Sequence, residues 1–413
     1  MLTVAQARDA ILTRIDRLGT ERVSLLDAPG RVAAEQIHAT RQQPPWDNSA
    51  MDGYALRAED VALATDGHPV QLEVLEDLMA GVMATRTVQQ GQASRIMTGA
   101  PMPPGANAVI RVELTRSRSR DHVEVLEPVP VGNDIRSAGE DQQVGDRLLE
   151  PGKLIRAAEV GVIASAPRSF IRVYRVPTVA IVATGDELVE PDEVPHPGQI
   201  VNTNAYALAA MVKEAGGHPI ILPIARDTRE ALEEVFQAAA AADAILSSGG
   251  VSVGEHDFVK EVLEQLGVQM GFWKVKMTPG KPLAFGHWGR VPVFGLPGNP
   301  VSSMVSFELF VRPALLKMSG RTRIFRRMFR ATLAETVQKR PGMPHFLRVT
   351  LREVEGRWVA SSTGAQGSGV LRSMSRADAL AVGEEALTRI EAGTELWVMP
   401  LDDQWGMTDI RPV

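Results

Sequence analysis

The chain has 413 residues, 44% of them hydrophobic and 23% charged, a globular composition on a length that one core does not fill, so two to four domains are expected. A net charge of −6 argues against nucleic acid as a partner, and the lack of cysteine excludes disulfides, thiolate metal sites and cysteine nucleophiles. No apolar run reaches the roughly 18 residues that span a bilayer, so no membrane is expected as a partner either. Met1–Gln6 carries no basic-then-apolar leader, and with the missing cysteines this points to the cytoplasm.

Residues 3–18 place Val4, Ala7, Ile11, Ile15 and Leu18 on one helix face, with Thr3 and Gln6 at capping-box spacing. A β-like run, Glu21–Leu26, leads to Pro29-Gly30, and residues 41–54 are too rich in turn formers for a regular element. From about 55 to 140, short β runs alternate with Gly/Pro turns, the pattern of a small barrel or sandwich. A loop and a helix, Arg156–Ile163, follow. Residues 177–318 then change character. Strands at Thr178–Ala183, His218–Leu222 and Ala244–Leu246 alternate with helices at Thr203–Ala215, Arg229–Ala242 and Asp257–Leu266. A strand near Phe272–Val275, two further short strands and a helix Val301–Leu316 complete the series, which predicts a parallel, doubly wound α/β sheet. The five arginines of residues 321–330 read as a solvated linker. The segment 327–413 returns to β runs with a Glu355-Gly356 turn, so it predicts a small β-domain.

Chemistry concentrates at predicted strand ends. Ser247–Asp257 follows the strand Ala244–Leu246, and Gly249, Gly250 and Gly254, with Ser252 between them, let backbone N–H groups face an anion. In doubly wound sheets this edge is where ligands bind. Thr184-Gly185-Asp186-Glu187, Asp227 and Asp257 leave neighbouring strands there. Singly, each acid is a helix-cap or first-turn residue; together they suit a hard cation such as Mg²⁺ shared with phosphate oxygens. Lys274 and Lys281, flanking a Pro279-Gly280 turn, supply the opposite sign. Pro297-Gly298 turns into another helix, where Ser302 and the first N–H groups offer a second anion nest. No Ser-His-Asp pattern, Walker-type loop or His-Glu-x-x-His occurs.

Taken together, Pro44–Ala55 (Pro-Pro-Trp-Asp-Asn-Ser-Ala-Met-Asp-Gly-Tyr-Ala), Ile96–Pro103, Thr184–Leu188, Gly249–Gly254, Pro279–Pro282 and Leu296–Pro300 resemble the signatures of one family, in family order over nearly the whole chain. That family is the molybdopterin molybdenumtransferases (MoeA and the gephyrin E-domain). The resemblance implies a homodimer of four-domain subunits. Residues 1–26 with 41–54 and 141–176 would form a discontinuous helical dimerisation domain, and 27–40 with 55–140 a small β-domain. Residues 177–326 would form the molybdopterin-binding α/β domain, and 327–413 a C-terminal β-barrel.

The resemblance also implies the last step of molybdenum cofactor synthesis: molybdate enters adenylylated molybdopterin and AMP leaves. A molybdopterin adenylyltransferase and molybdoenzymes would be the handover partners. On the same basis Asp186, Glu187, Asp227 and Asp257 would hold Mg²⁺. Thr184, Gly185, Gly249, Gly250, Ser252, Gly254, Pro297 and Gly298 would cradle the phosphates. Lys274, Lys281, Ser302 and Arg348 would receive molybdate, and Asp52 and Thr98 would complete the cleft from the dimer partner. Two other readings are a non-catalytic molybdopterin-binding scaffold, which needs no such set of acids, and a molybdopterin adenylyltransferase, which needs no flanking domains. The chain departs from the family pattern at Thr278, where a basic residue is common and Lys276 offers a substitute charge, and at Trp46, where many relatives carry Phe.

Overall fold

The computed structural model describes residues 1–250 and 258–402. At its centre, six strands pair in the order His218–Ile221, Thr178–Ala183, Ala244–Ser248, Val291–Leu296, Pro282–Trp288, Gln269–Lys274. The first four are parallel; Pro282–Trp288 runs against them and Gln269–Lys274 pairs antiparallel to it, so the sheet is mixed and not parallel throughout as predicted. The reason is connection length. Only Gly289 and Arg290 separate Pro282–Trp288 from Val291–Leu296, far short of the dozen or so residues that a parallel crossover requires.

Alternation divides the central strands between two apolar layers. Ala180, Val182, Ile245 and Val293 face the helices Arg229–Ala239 and Phe258–Gln265, whose Leu232, Phe236, Val259, Val262 and Leu263 recur at helical spacing. Val179, Ile181, Leu246, Phe294 and Leu296 face the opposite way, onto Leu208 and Val212 of helix Thr203–Glu214 and onto residues 301–318. The predicted helix Val301–Leu316 is built as Pro300–Ser306, a π-helical turn Phe307–Val311, and Arg312–Met318. Pro313 has no N–H for the α-helical bond to Leu309, and the wider turn lies just before it.

The N-terminal helix Val4–Thr13 has its Thr3–Gln6 capping box and packs against the α/β core. Ala7, Ile11 and Ile15 sit in the α/β core, and Lys317 Nζ donates to Leu12 O at 2.6 Å. The pieces assigned to a helical dimerisation domain are mainly strands beside one helix, Ala157–Ser165: Thr20–Ser24 pairs with Phe170–Tyr174, and Arg147–Leu149 pairs with Ile37–His38 from the segment assigned to the β-domain. Ala28, Ala33 and Ile37 share this unit's core with Ile155, Ile163, Ile171 and Val173, so residues 27–40 pack here and not in the β-domain. The β-domain is a six-stranded sheet whose core holds Tyr54, Leu56, Leu72, Ile110 and Val123. It also takes in residues 48–54, because Asn48–Ser49 pairs with Ile135–Arg136. Apolar spacing identified the buried positions but carried no information on which partner each would meet.

The C-terminal strands Phe329–Leu333, Arg357–Ser362, His345–Val354, Ala379–Gly383 and Glu395–Pro400 close into a barrel. The arginine-rich approach to it is not a solvated linker. Arg326 pairs with Glu308 at 2.8 Å, their side chains 8% and 4% exposed, and Arg330 stacks 4.2 Å from the Trp397 ring centre.

Candidate active site

Three turns meet where the parallel strands Thr178–Ala183, Ala244–Ser248 and Val291–Leu296 end. Thr184 N–H donates to Ser248 O at 3.3 Å, and Gly249 N–H donates to Leu296 O at 3.2 Å. Glycine is required at two of these positions. Gly249 has φ +97°, and a Cβ there would lie 3.0 Å from Thr184 O. Gly250 has φ +64°, and its Cβ would fall 2.2 Å from Val259 Cγ2. Gly298 lies against Gly249, so Thr184, Gly249, Gly250, Pro297 and Gly298 form one continuous backbone surface. Ser252, Gly254 and Asp257 lie outside the described residues.

The acids gather beside this surface. Gly185 N–H bonds Ala225 O at 3.1 Å, which lays the Thr184–Glu187 turn along the 225–227 turn. Asp227 N–H then donates to Asp186 Oδ1 at 3.2 Å, and Arg226 Nη1 donates to Asp186 O at 3.0 Å. Burial, and secondly the negative charges of Asp186 and Glu187, push the Asp227 carboxyl above the usual aspartate range. Among the described residues, no three histidine or acidic side chains form a ready cation cage. Neighbouring carboxylates without a full cage fit Mg²⁺, which takes one or two carboxylates and completes its octahedron with phosphate oxygens and water.

A basic side forms where the barrel meets the α/β domain. Thr278 N–H donates to Pro344 O at 3.0 Å and Phe346 N–H donates to Thr278 O at 2.8 Å, so the 278–281 turn runs alongside the first residues of His345–Val354. Lys274 and Lys281 are exposed there and form no ion pair with a described residue. Lys276 does not replace the charge missing at Thr278, because its ammonium is paired with Glu385 of the barrel. The second anion nest is smaller than predicted. Pro300 has no N–H, Val301 N–H donates to Ser368 O at 3.1 Å, and Ser303 N–H donates to Asn299 O at 3.0 Å. Ser302 is 4% exposed, and its carbonyl lies under Gly280, so the helix start and the 278–281 turn are adjacent.

Arg348 is fully buried. Its Nε donates to Ser373 Oγ at 3.1 Å and its Nη2 to Gly367 O at 3.1 Å, while Gln366 Oε1 accepts from the Arg348 backbone at 2.9 Å. Burial lowers its pKa to about 10. Its side-chain partners are neutral oxygens, so the charge is left without a counter-ion among the described residues, a setting that favours an anion. His345 is held neutral beside it: burial first, then the charges of Arg348 and Lys339, lower its pKa to about 4.

Asp52 and Thr98 bond to each other, the Thr98 N–H and hydroxyl both donating to Asp52 Oδ1 at 2.7 Å. These bonds hold the Asp52 carboxyl below its usual range. The pair lies in the β-domain, and among the described residues no hydrogen bond or ion pair connects it to the strand-end turns. Sequence reasoning missed Ser373, Gln366 and Asn204. The first two carry no motif. Asn204 had one signal, a polar residue in the first turn of a helix at the ligand edge.

Residues 2–166 match the MoeA N-terminal region (domain I and II), 180–317 the family described as "Probable molybdopterin binding domain", and 330–401 the MoeA C-terminal region (domain IV). The chain is 39% identical over 388 residues to the molybdopterin molybdenumtransferase of Nostoc sp., covering 92% of this chain and 89% of that protein. It is 34% identical over 411 residues to that of Haemophilus influenzae, covering 98% and 100%. The crystal structure of the molybdopterin biosynthesis moeA protein from Pyrococcus horikoshii OT3 is similar at a TM-score of 0.82 and 32% identity, over 97% of this chain and 100% of that one.

Proposed function

The chain belongs to the molybdopterin molybdenumtransferase family, and from that premise we propose how its residues serve the insertion of molybdate into adenylylated molybdopterin with release of AMP. One observation carries the reading: a glycine-built surface at the strand ends has the Asp186 and Asp227 turns beside it, and the loop that binds the buried Arg348 through Gly367 O meets the helix after Pro297-Gly298 through Val301 N–H and Ser368 O. The scaffold and adenylyltransferase alternatives gain no support, since relatives of the same activity name match nearly end to end.

In this reading the pyrophosphate lies along Thr184, Gly185, Gly249, Gly250, Pro297 and Gly298, where the missing side chains let backbone approach phosphate oxygens. By resemblance Ser252 and Gly254, which lie outside the described residues, would also bind phosphate. Asp186, Glu187, Asp227 and, by resemblance, Asp257 would hold Mg²⁺, which when bound supplies charge neutralisation of the phosphoanhydride. The clustered acids orient the leaving phosphate relative to molybdate. Lys274 and Lys281 offer ammonium donors to the oxyanion, Ser302 a hydroxyl, and Arg348 its unpaired charge. Asp52 and Thr98 act from a second copy in a homodimer; within one copy, no hydrogen bond or ion pair among the described residues joins them to the strand-end turns.

The handover partners are a molybdopterin adenylyltransferase upstream and molybdoenzymes downstream. Among the described residues no helix is long and apolar enough to cross a membrane; the proposed compartment is the cytoplasm. The test is AMP release from adenylylated molybdopterin on addition of molybdate and Mg²⁺. Release that needs both is expected, and none from the intact chain would refute the transferase reading.

A further inference from the structure

Asn204 stands in the first turn of helix Thr203–Glu214, outside every motif that marks the site. Its single amide nitrogen donates to Ser248 Oγ at 2.9 Å and to Gly298 O at 2.7 Å. Ser248 ends one central strand and opens the glycine loop, while Gly298 is the turn after the neighbouring strand. Both walls of the phosphate-facing surface are therefore tied to one side chain from a third element. The chemistry is narrow. A serine hydroxyl has one proton to give, an aspartate at neutral pH has none, and an sp² amide nitrogen gives two in fixed directions. The amide orientation is set by Gly298 O, which can only accept.

Two further observations separate this bond from ordinary packing. Because Ser248 Oγ accepts from Asn204, its own proton points elsewhere, and it donates to no other described residue. Asn204 Oδ1 is buried and has no partner among the described residues, so within them the side chain is held by its donors alone. We propose that Asn204 is a positioning residue, which fixes the spacing between the Ser248–Gly250 wall and the Pro297–Gly298 wall and aims the Ser248 hydroxyl at a phosphate oxygen. This rests on the functional reading above.

Asn204→Ala, Asn204→Asp and Ser248→Ala in the full chain test it. Asn204→Ala is expected to raise KM for adenylylated molybdopterin about tenfold, the scale of one well-placed hydrogen bond, and to lower kcat as well. Asn204→Asp should do at least as much, since an oxygen then faces the Gly298 carbonyl. Ser248→Ala keeps the Gly298 bond and should have a smaller effect. Amide hydrogen exchange read at Gly249, whose N–H bonds Leu296 O, should quicken about tenfold in folded Asn204→Ala if the walls separate. Kinetic constants within twofold of the parent, or unchanged Gly249 exchange, would overturn the positioning role. An inactive parent would refute the functional reading, and the exchange measurement would still decide this inference.

Discussion

The acidic and basic groups of the proposed site hold their charges in opposite ways. The acids Asp186, Glu187 and Asp227 come from two adjacent turns of one domain and repel one another, which with burial raises the Asp227 carboxyl. The cation Arg348 comes from another domain, is fully buried, and is held by neutral oxygens. The lesson is about preorganisation. Repelling carboxylates near water gain most when a cation arrives, whereas a buried guanidinium is oriented beforehand and needs only its anion.

The largest effect should follow from Asp227→Asn, which removes a proposed ligand while keeping the shape. AMP release at saturating Mg²⁺ should fall about a hundredfold, as when one strong electrostatic contact is lost. Stability should not fall with it. A raised aspartate pKa means that the ionised group weakens the fold above the unfolded value of 3.8, so its neutral replacement keeps or raises the unfolding midpoint at neutral pH. Loss of stability alongside activity would show that Asp227 supports the fold and not a cation.

Gly250→Ala tests the backbone between the two sides. Its φ of +64° and the 2.2 Å approach to Val259 Cγ2 predict a loss of roughly 2–3 kcal/mol in denaturant unfolding. Adding Val259→Ala should recover the steric part but not the backbone part, so a full recovery would contradict the φ argument. Arg348→Met addresses the basic side. Half-saturation for molybdate should rise at least about tenfold, while stability changes little, because an uncompensated buried charge is exchanged for an apolar group of similar length.

The smallest effect concerns His345. Its folded pKa of about 4 lies below its ordinary 6.5, so the unfolded chain takes up the proton first as pH falls. Stability should be flat above pH 6.5 and decline toward pH 4 by on the order of 1–2 kcal/mol, a figure reduced for partial exposure. His345→Gln should remove most of that decline in unfolding curves taken across the window. An unchanged decline would place its origin in other groups.

Much of the glycine-built surface at the strand ends was legible in the sequence because strand-to-turn signals are local. Thr184-Gly185, Gly249-Gly250 and Pro297-Gly298 each follow an apolar strand, and a glycine at such a position already constrains the backbone. The acids were legible for the same reason, as side chains one or two residues beyond a strand. Lys276 was not, since its pairing with Glu385 joins positions more than a hundred residues apart. Nor was the state of Arg348: a lone arginine in a β run gives no sign that Ser373 and Gly367 will enclose it.

The α/β alternation, the turns at the strand ends, the lack of cysteine chemistry and the family resemblance could all be read before folding, because each is written in composition or in neighbouring residues. Tertiary structure decided the rest. It placed the N-terminal helix on the α/β core, reversed the strand Pro282–Trp288 in the sheet, used Lys276 as a clamp, and made Asn204 a link between two walls. Those outcomes depend on which distant surfaces meet. Apolar periodicity says that a face will be buried, and only the packed chain says against what.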